Sequence, residues 1–313
     1  MAKTELTIVL PGLARVLDQQ INNSVIPDCL STIIAKSQFH HDPTGLTRLL
    51  FNHFSQTALV GSDLPVANLI SQSSSVLCAD PCYLHPDRDR LLLFSENMQL
   101  TIEESTALIS EIQPLLDEFG GELICYSPEN WLLNLDAIPD LTFSALAEVR
   151  GKAVDDFLPQ GTDRQNWIRL WNEIQMQLYD SKINQQRISD GKLPINSVWF
   201  WGVGTFKADK KSWQHVQGHL PLLKNLAQRS NITIDSDPDW SMKTLTSGKT
   251  LWVLDEIDIE SDWQQQLQQV DKDILQPLWQ SLRMAKMANI ELQIPDYGSY
   301  QLTTLDCWKF WKS

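Results

Sequence analysis

Residues 5–12, ELTIVLPG, form an apolar, β-branched run stopped by Pro-Gly, the pattern of a buried strand feeding a loop. Apolar residues three and four apart then predict helices near 13–20, 27–37 and 43–54. SSSVLCAD (73–80) and DRLLLFS (89–95) read as strands around a turn at HPDRD. TIEESTALISEIQPLLDEFGG carries a capping box, Thr101 with Glu104 three residues on, and a Gly120-Gly121 stop. ELICYS and WLLNL follow as a hairpin. Residues 162–180 place Trp167, Leu170, Trp171, Ile174 and Leu178 on one helical face. NSVWFWG and TLWVLDEID read as buried strands, with a helix over about 212–228 between them. A long helix over about 261–287 bears Leu267, Val270, Ile274, Leu278 and Leu282, and NIELQIPDYGSY closes with a strand and a turn.

Apolar strands separated by helices predict an α/β layered domain with a mainly parallel sheet. Closely spaced strands with one helix over 76–160 predict a smaller α+β insertion, leaving 1–75 and 161–313 for the core domain.

The chain has 313 residues, 42% of them hydrophobic and 20% charged, as in a soluble globular protein. Its net charge of −14 repels nucleic acid and anionic membrane. Neither a signal peptide nor an apolar run of about 20 residues is evident, so a cytoplasmic location is expected. Cys78 and Cys82 are four apart, without the second pair or histidines of a zinc site, and all five cysteines read as buried thiols. Among twelve tryptophans, Trp308 and Trp311 lie with Phe310 in the terminal DCWKFWKS, a segment that either docks on the body or recruits a partner.

Gly202-Val203-Gly204 follows a strand, as a phosphate-holding loop would, but lacks the GxGxxG of a dinucleotide site. His215 and His219 have the i, i+4 spacing of a helical metal clamp without the glutamate of HExxH, and a surface or helix-packing role is favoured. His40-His41 before DPTG read as polar residues ahead of a helix. Ser62 in GSD is either a nucleophile or a cap for the helix beginning at LPVANLI. Asp255, Glu256, Asp258 and Asp262 lie at and beyond a strand end, where open α/β sheets bind ligands, and read either as metal ligands or catalytic acids or as a solvated strand-to-helix turn. Arg187 is either a phosphate grip or a salt-bridge partner. Asn184, Arg187 and Asn196 together mark a candidate ligand pocket, or pin loops by hydrogen bonds.

N..R...G..P.NS.W.WG.G (184–204), ADPCYLHPDRDRLLLF (79–94) and RLWNEIQMQLYDSKIN (169–184) resemble, in order, stretches of the RpfE-type regulatory proteins of proteobacteria, often labelled phosphoglycerate mutases. More distantly, the chain resembles the archaeal-type cofactor-independent phosphoglycerate mutases of the alkaline phosphatase superfamily. The resemblance implies an alkaline-phosphatase-like α/β sheet domain with an inserted smaller domain. It also implies two divalent metals, Mn or Zn, held by aspartates and histidines beside a phosphoryl-carrying serine. Against that pattern Ser62, Asp255, Glu256, Asp296 and Gly298 match, whereas Pro11, Ile259 and Tyr297 replace an aspartate and two histidines. Imidazole supplies much of the affinity for such metals. The expectation is therefore a non-catalytic relative without a cofactor, acting by binding a phosphorylated metabolite or a protein. The alternatives are an active metal-dependent phosphotransferase using Ser62, Asp255 and Asp296, and an interaction module working through the tryptophan-rich C-terminus.

Overall fold

The protein is described by a computed structural model covering residues 4–18, 26–56, 59, 61–209, 213–238, 240, 245 and 247–308. Contacts divide the chain into two compact units, one of residues 1–57 and 208–313, the other of residues 58–207. The first opens with β1 (Thr4–Val9), α1 (Leu13–Asp18), α2 (Asp28–Lys36), β2 (Gln38–His41) and α3 (Leu46–Phe54). The second begins with α4 (Val66–Ser71), β3 (Val76–Asp87), β4 (Arg90–Phe94), α5 (Ile102–Asp117), β5 (Gly121–Ser127) and β6 (Asn130–Leu135). It continues with β7 (Leu141–Thr142), α6 (Leu146–Val149), β8 (Gln160–Gly161), α7 (Arg164–Tyr179), α8 (Lys182–Ser189) and β9 (Ser197–Trp201). The first unit resumes with β10 (His215–Gln217), α9 (Pro221–Arg229), β11 (Ile234–Asp235), β12 (Lys249–Val253), α10 (Trp263–Val270), α11 (Gln276–Arg283), β13 (Met287–Ile294) and β14 (Gly298–Thr303).

The first unit is built on a seven-stranded sheet in the order β11-β10-β12-β1-β13-β14-β2. β11, β10, β12, β1 and β13 run parallel, and β14 is antiparallel to its neighbours β13 and β2. β1 is central because Leu6, Ile8, Val9 and Leu10 can be buried there. Leu6, Ile8 and Leu10 join Trp252 and Leu254, Ile290 and Leu292, and Leu267, Ile274, Leu278 and Leu282 of the long helical segment in one apolar cluster. The spacing predicted that segment as one helix; a π-helical turn at Asp271–Leu275 divides it into α10 and α11. The turn carries Asp271, whose Oδ1 accepts the Leu30 N–H at 2.7 Å. Pro27, the N-cap of α2, makes no side-chain cap of its own, so a carboxylate 241 residues away caps that helix.

Two expectations are corrected in this unit. Residues 212–228 do not form one helix: His215–Gln217 pair with β12 as a strand, and the helix starts at Pro221. Gly218 permits the change of course, since a Cβ there would lie 2.8 Å from the Val253 carbonyl. His40 and His41 do not precede a helix directly but form the exposed edge strand β2, opposite Ser299 and Gly298.

The second unit has an antiparallel sheet in the order β4-β3-β6-β5, with β9 also paired to β3. The expected hairpin is β5–β6, and the capping box at Thr101 is formed in both directions. The expected limits of this domain were 76 and 160. β9 pairs with β3, and Trp171 on α7 donates its indole N–H to the Val198 carbonyl of β9 at 2.9 Å, so the contact-defined unit runs from 58 to 207. Within the described residues no helix is long and apolar enough to cross a membrane.

Candidate functional site

At the carboxyl ends of the parallel strands of the first unit, β12 leads into Asp255 and Glu256, β10 into Gly218 and His219, and β13 into Asp296. The His219 ring nitrogen Nδ1 lies 2.9 Å from Asp255 Oδ1, both side chains being exposed. Spacing within the sequence did not pair these two; what they share is a position just past neighbouring strands. Asp255 and Glu256 also border a cavity of about 540 Å³ walled by Trp240, Leu254, Ile257 and Ile274, with Asp273 and two glutamines at its edge.

Asp296 is held differently. It occupies the turn between β13 and β14 with φ +66°, and its N–H donates to the Thr44 carbonyl at 3.0 Å. β1 lies between β12 and β13, so the residue ending β1 falls between the strands that carry Asp255 and Asp296. That residue region is Pro11-Gly12. Pro11 offers only its carbonyl, which accepts the Ile257 N–H at 3.0 Å. Gly12 has φ +82°, and a Cβ there would lie 2.3 Å from the Ile257 carbonyl oxygen, so no side chain fits. Manganese or zinc sites draw on several carboxylate and imidazole donors. Among the described residues no group of three or more histidine, cysteine, aspartate or glutamate side chains is placed to hold such an ion. The donor set of this strand end does not fit a pair of metals.

Ser62 belongs to the second unit, Asp255 and Asp296 to the first. The Ser62 hydroxyl donates to the Phe143 carbonyl at 2.9 Å, and Ser144 Oγ lies 3.5 Å away. It does not cap α4: the N-cap there is Pro65, without a side-chain bond.

The neighbouring residue answers the question raised by the glycine loop. Asp63 Oδ1 accepts the N–H of Leu64 at 2.8 Å and of Gly202 at 2.8 Å, and Oδ2 accepts that of Val203 at 2.9 Å. Gly202 has φ +88°, and a Cβ would crowd Cys78 Sγ at 2.9 Å. The loop therefore presents converging amides, as anion-binding loops do, and a carboxylate of the same chain takes them. Asp63 was not visible as a functional candidate, since its partners are 139 and 140 residues away.

Asn184, Arg187 and Asn196 all lie in the second unit and all are engaged internally. Asn184 donates to the carbonyls of Leu178 and Ile195 at 2.8 and 2.7 Å and accepts the Ile195 N–H at 2.7 Å. Arg187 is 1% exposed. It donates to the Leu193 and Met98 carbonyls and to Glu104 Oε2, the last at 2.9 Å. Glu104 is the carboxylate of the capping box, so Arg187 ties α8 to the start of α5. Asn196 exchanges two hydrogen bonds with the backbone of Leu84. These contacts are of the loop-pinning kind, and they use three of the five Arg187 N–H groups.

Asp80, in the same unit, is a second residue that spacing did not single out. It is 2% exposed at the middle of β3 and accepts the Trp131 N–H and the Trp201 indole N–H. Burial pushes its pKa up to about 6, against the pull of those two donors, Asn130 and Arg150. Trp308 of the terminal segment lies under the Arg283 guanidinium, 6.0 Å from the ring centre, whereas Phe310 and Trp311 lie outside the described residues.

No protein-family model matches the chain. Part of it is similar to the 2,3-bisphosphoglycerate-independent phosphoglycerate mutase of Methanothrix thermoacetophila, 25% identical over 105 residues, 34% of this chain and 26% of that protein. The enzyme of the same name from Methanosarcina acetivorans is 32% identical over 71 residues, 23% of this chain and 18% of that one. The homology is weak. The chain spans about a quarter or less of the curated relatives it matches. In structure it is similar to the PH0037 protein from Pyrococcus horikoshii, with a TM-score of 0.50 and 11% identity over 96% of this chain and 87% of that one. A cofactor-independent phosphoglycerate mutase from Thermoplasma acidophilum aligns with a TM-score of 0.46 and 14% identity, covering 97% and 90%. The likeness to the PH0037 protein is one of fold, and it extends over almost the whole α/β arrangement described above.

Proposed function

We propose that this protein is a non-catalytic relative of the cofactor-independent phosphoglycerate mutases, of the RpfE type, that acts by binding and not by turnover. The observation that carries the reading is the end of β1. In the strand position between those of Asp255 and Asp296 the chain has Pro11, which brings no side-chain donor, and Gly12, which can accept no side chain. The engagement of the Gly202 and Val203 amides by Asp63 supports it, because a substrate phosphate would have to displace an internal carboxylate there. The partner expected is a protein or a phosphorylated metabolite, and neither nucleic acid nor membrane, given the net charge of −14.

The test is metal analysis of the purified protein together with mutase and phosphatase assays in manganese. The expected result is no stoichiometric metal, and no turnover that Ser62→Ala removes. Two bound ions per chain with turnover abolished by Ser62→Ala would establish the active phosphotransferase instead.

A further inference from the structure

The two faces of the seven-stranded sheet differ in kind. One carries the apolar cluster of Leu6, Ile8, Ile290 and Leu292. On the other, the pairing register places Lys249, Glu5, Asn289 and Thr303 in one row and Leu251, Thr7, Glu291 and Gln301 in the next. A mainly parallel sheet covered on both faces ordinarily reads apolar on both. Here the polar members of these two adjacent rows, all but Leu251, line a cavity of about 300 Å³. That volume is at the lower end for small-molecule sites.

The wall facing the sheet is fixed. His53 Nε2 lies 2.7 Å from Gln293 Oε1, and the ring meets Trp213 edge-on at 5.2 Å. Trp213 in turn donates its indole N–H to the His53 carbonyl at 3.0 Å. The floor, by contrast, is under-partnered. Thr7 is 7% exposed, yet among the described residues its hydroxyl reaches only Glu291 Oε2, at 3.5 Å. Gln301 reaches the other Glu291 oxygen at 3.4 Å. Hydrogen bonds this long are weak, so a better-placed donor could take up the Glu291 oxygens in their stead. Desolvation lowers the His53 pKa, against the opposing pull of Gln293 and Glu291, so the ring adds no cation at neutral pH. Among the described residues, the charges lining the cavity are then two carboxylates, Glu5 and Glu291, against one ammonium, Lys249.

We propose that this cavity binds a small organic cation, bearing an ammonium or guanidinium group on a hydrogen-bonding body. Its charge is taken by Glu291, with Glu5 at the mouth, and its body is oriented by Thr7, Asn289 and Gln301. The site is separate from the strand ends carrying Asp255 and Asp296, since Glu5, Lys249 and Asn289 lie at the opposite, amino ends of β1, β12 and β13.

Titration calorimetry on the full chain tests this with agmatine as the probe, and glycerol and calcium chloride as comparators. Agmatine is expected to bind at one site. Glu291→Gln, which keeps shape and hydrogen bonding, should weaken it about tenfold or more. Lys249→Gln should tighten it about threefold by removing a like charge. The latter gain cannot arise from misfolding. Asp255→Asn, at the other end of the strands, should leave the titration unchanged. Absence of agmatine binding, insensitivity to Glu291→Gln, equal binding of glycerol, or calcium binding that Glu291→Gln abolishes would each overturn the proposal.

Discussion

Two buried or half-buried aspartates of the second unit make sharply different use of their charge. Asp63 spends its side chain on backbone: three N–H groups point at its carboxylate oxygens. Asp63→Ala is expected to lower stability by about 2–3 kcal/mol, the scale of hydrogen bonds to a charged group. Because the freed amides converge, inorganic phosphate should raise the melting temperature of the variant and not of the parent. Thermal melts with and without phosphate check both effects. Asp80 instead has its proton held by burial, with a folded pKa of about 6 against an ordinary value of 3.8. A carboxyl whose pKa rises on folding stabilises the fold while protonated. Its contribution is full below pH 4 and is lost as pH rises through about 6, a change of about 3 kcal/mol. Urea titrations from pH 4 to 7 should show that slope in the parent and lose it in Asp80→Asn.

Among the elements, α2 depends on a residue far from it in sequence. Asp271→Ala removes the acceptor for the Leu30 N–H and for the Gln276 side chain. A loss of about 1–2 kcal/mol is expected, the usual value of a helix cap, measurable by chemical denaturation. Such long-range caps are not legible in a sequence, whereas local ones are: Thr101 and Glu104 are three apart and announce their capping box. The same distinction separates what could be read of the fold from what could not. β9 and the carboxyl-terminal parts of β1 and β12 are mostly apolar runs, and their burial follows directly from composition. β2 and β10 are four and three residues long, and they are strands only because β14 and β12 pair with them. At the site, the lack of a side-chain donor at Pro11 was legible because it belongs to the residue itself. The pairings of His219 with Asp255, 36 residues apart, and of Asp63 with the glycine loop depend on topology, which no local pattern records.

For the whole molecule, the unit of residues 58–207 is contiguous in sequence and has its own core, including Leu77, Leu108, Ile112, Trp131 and Leu133. Expressed alone, it is expected to fold cooperatively and to keep the pH slope of Asp80. Circular dichroism melts of the fragment at pH 4 and pH 7 check this; a fragment without a sigmoidal transition would contradict it. The other unit has no such independence, because its central strand β1 is completed by β12 and β13 from the far side of that fragment. On the ribosome this imposes a delay. About 240 residues separate the end of β1 from the start of β12. At the usual pace of synthesis β1 waits roughly 10–50 s before either neighbour exists. During that interval a strand of Leu, Ile and Val with both edges bare is a target for chaperone capture and for pairing with another nascent chain. The yield of native protein should therefore depend on translation speed and chaperone supply far more than its final stability would imply.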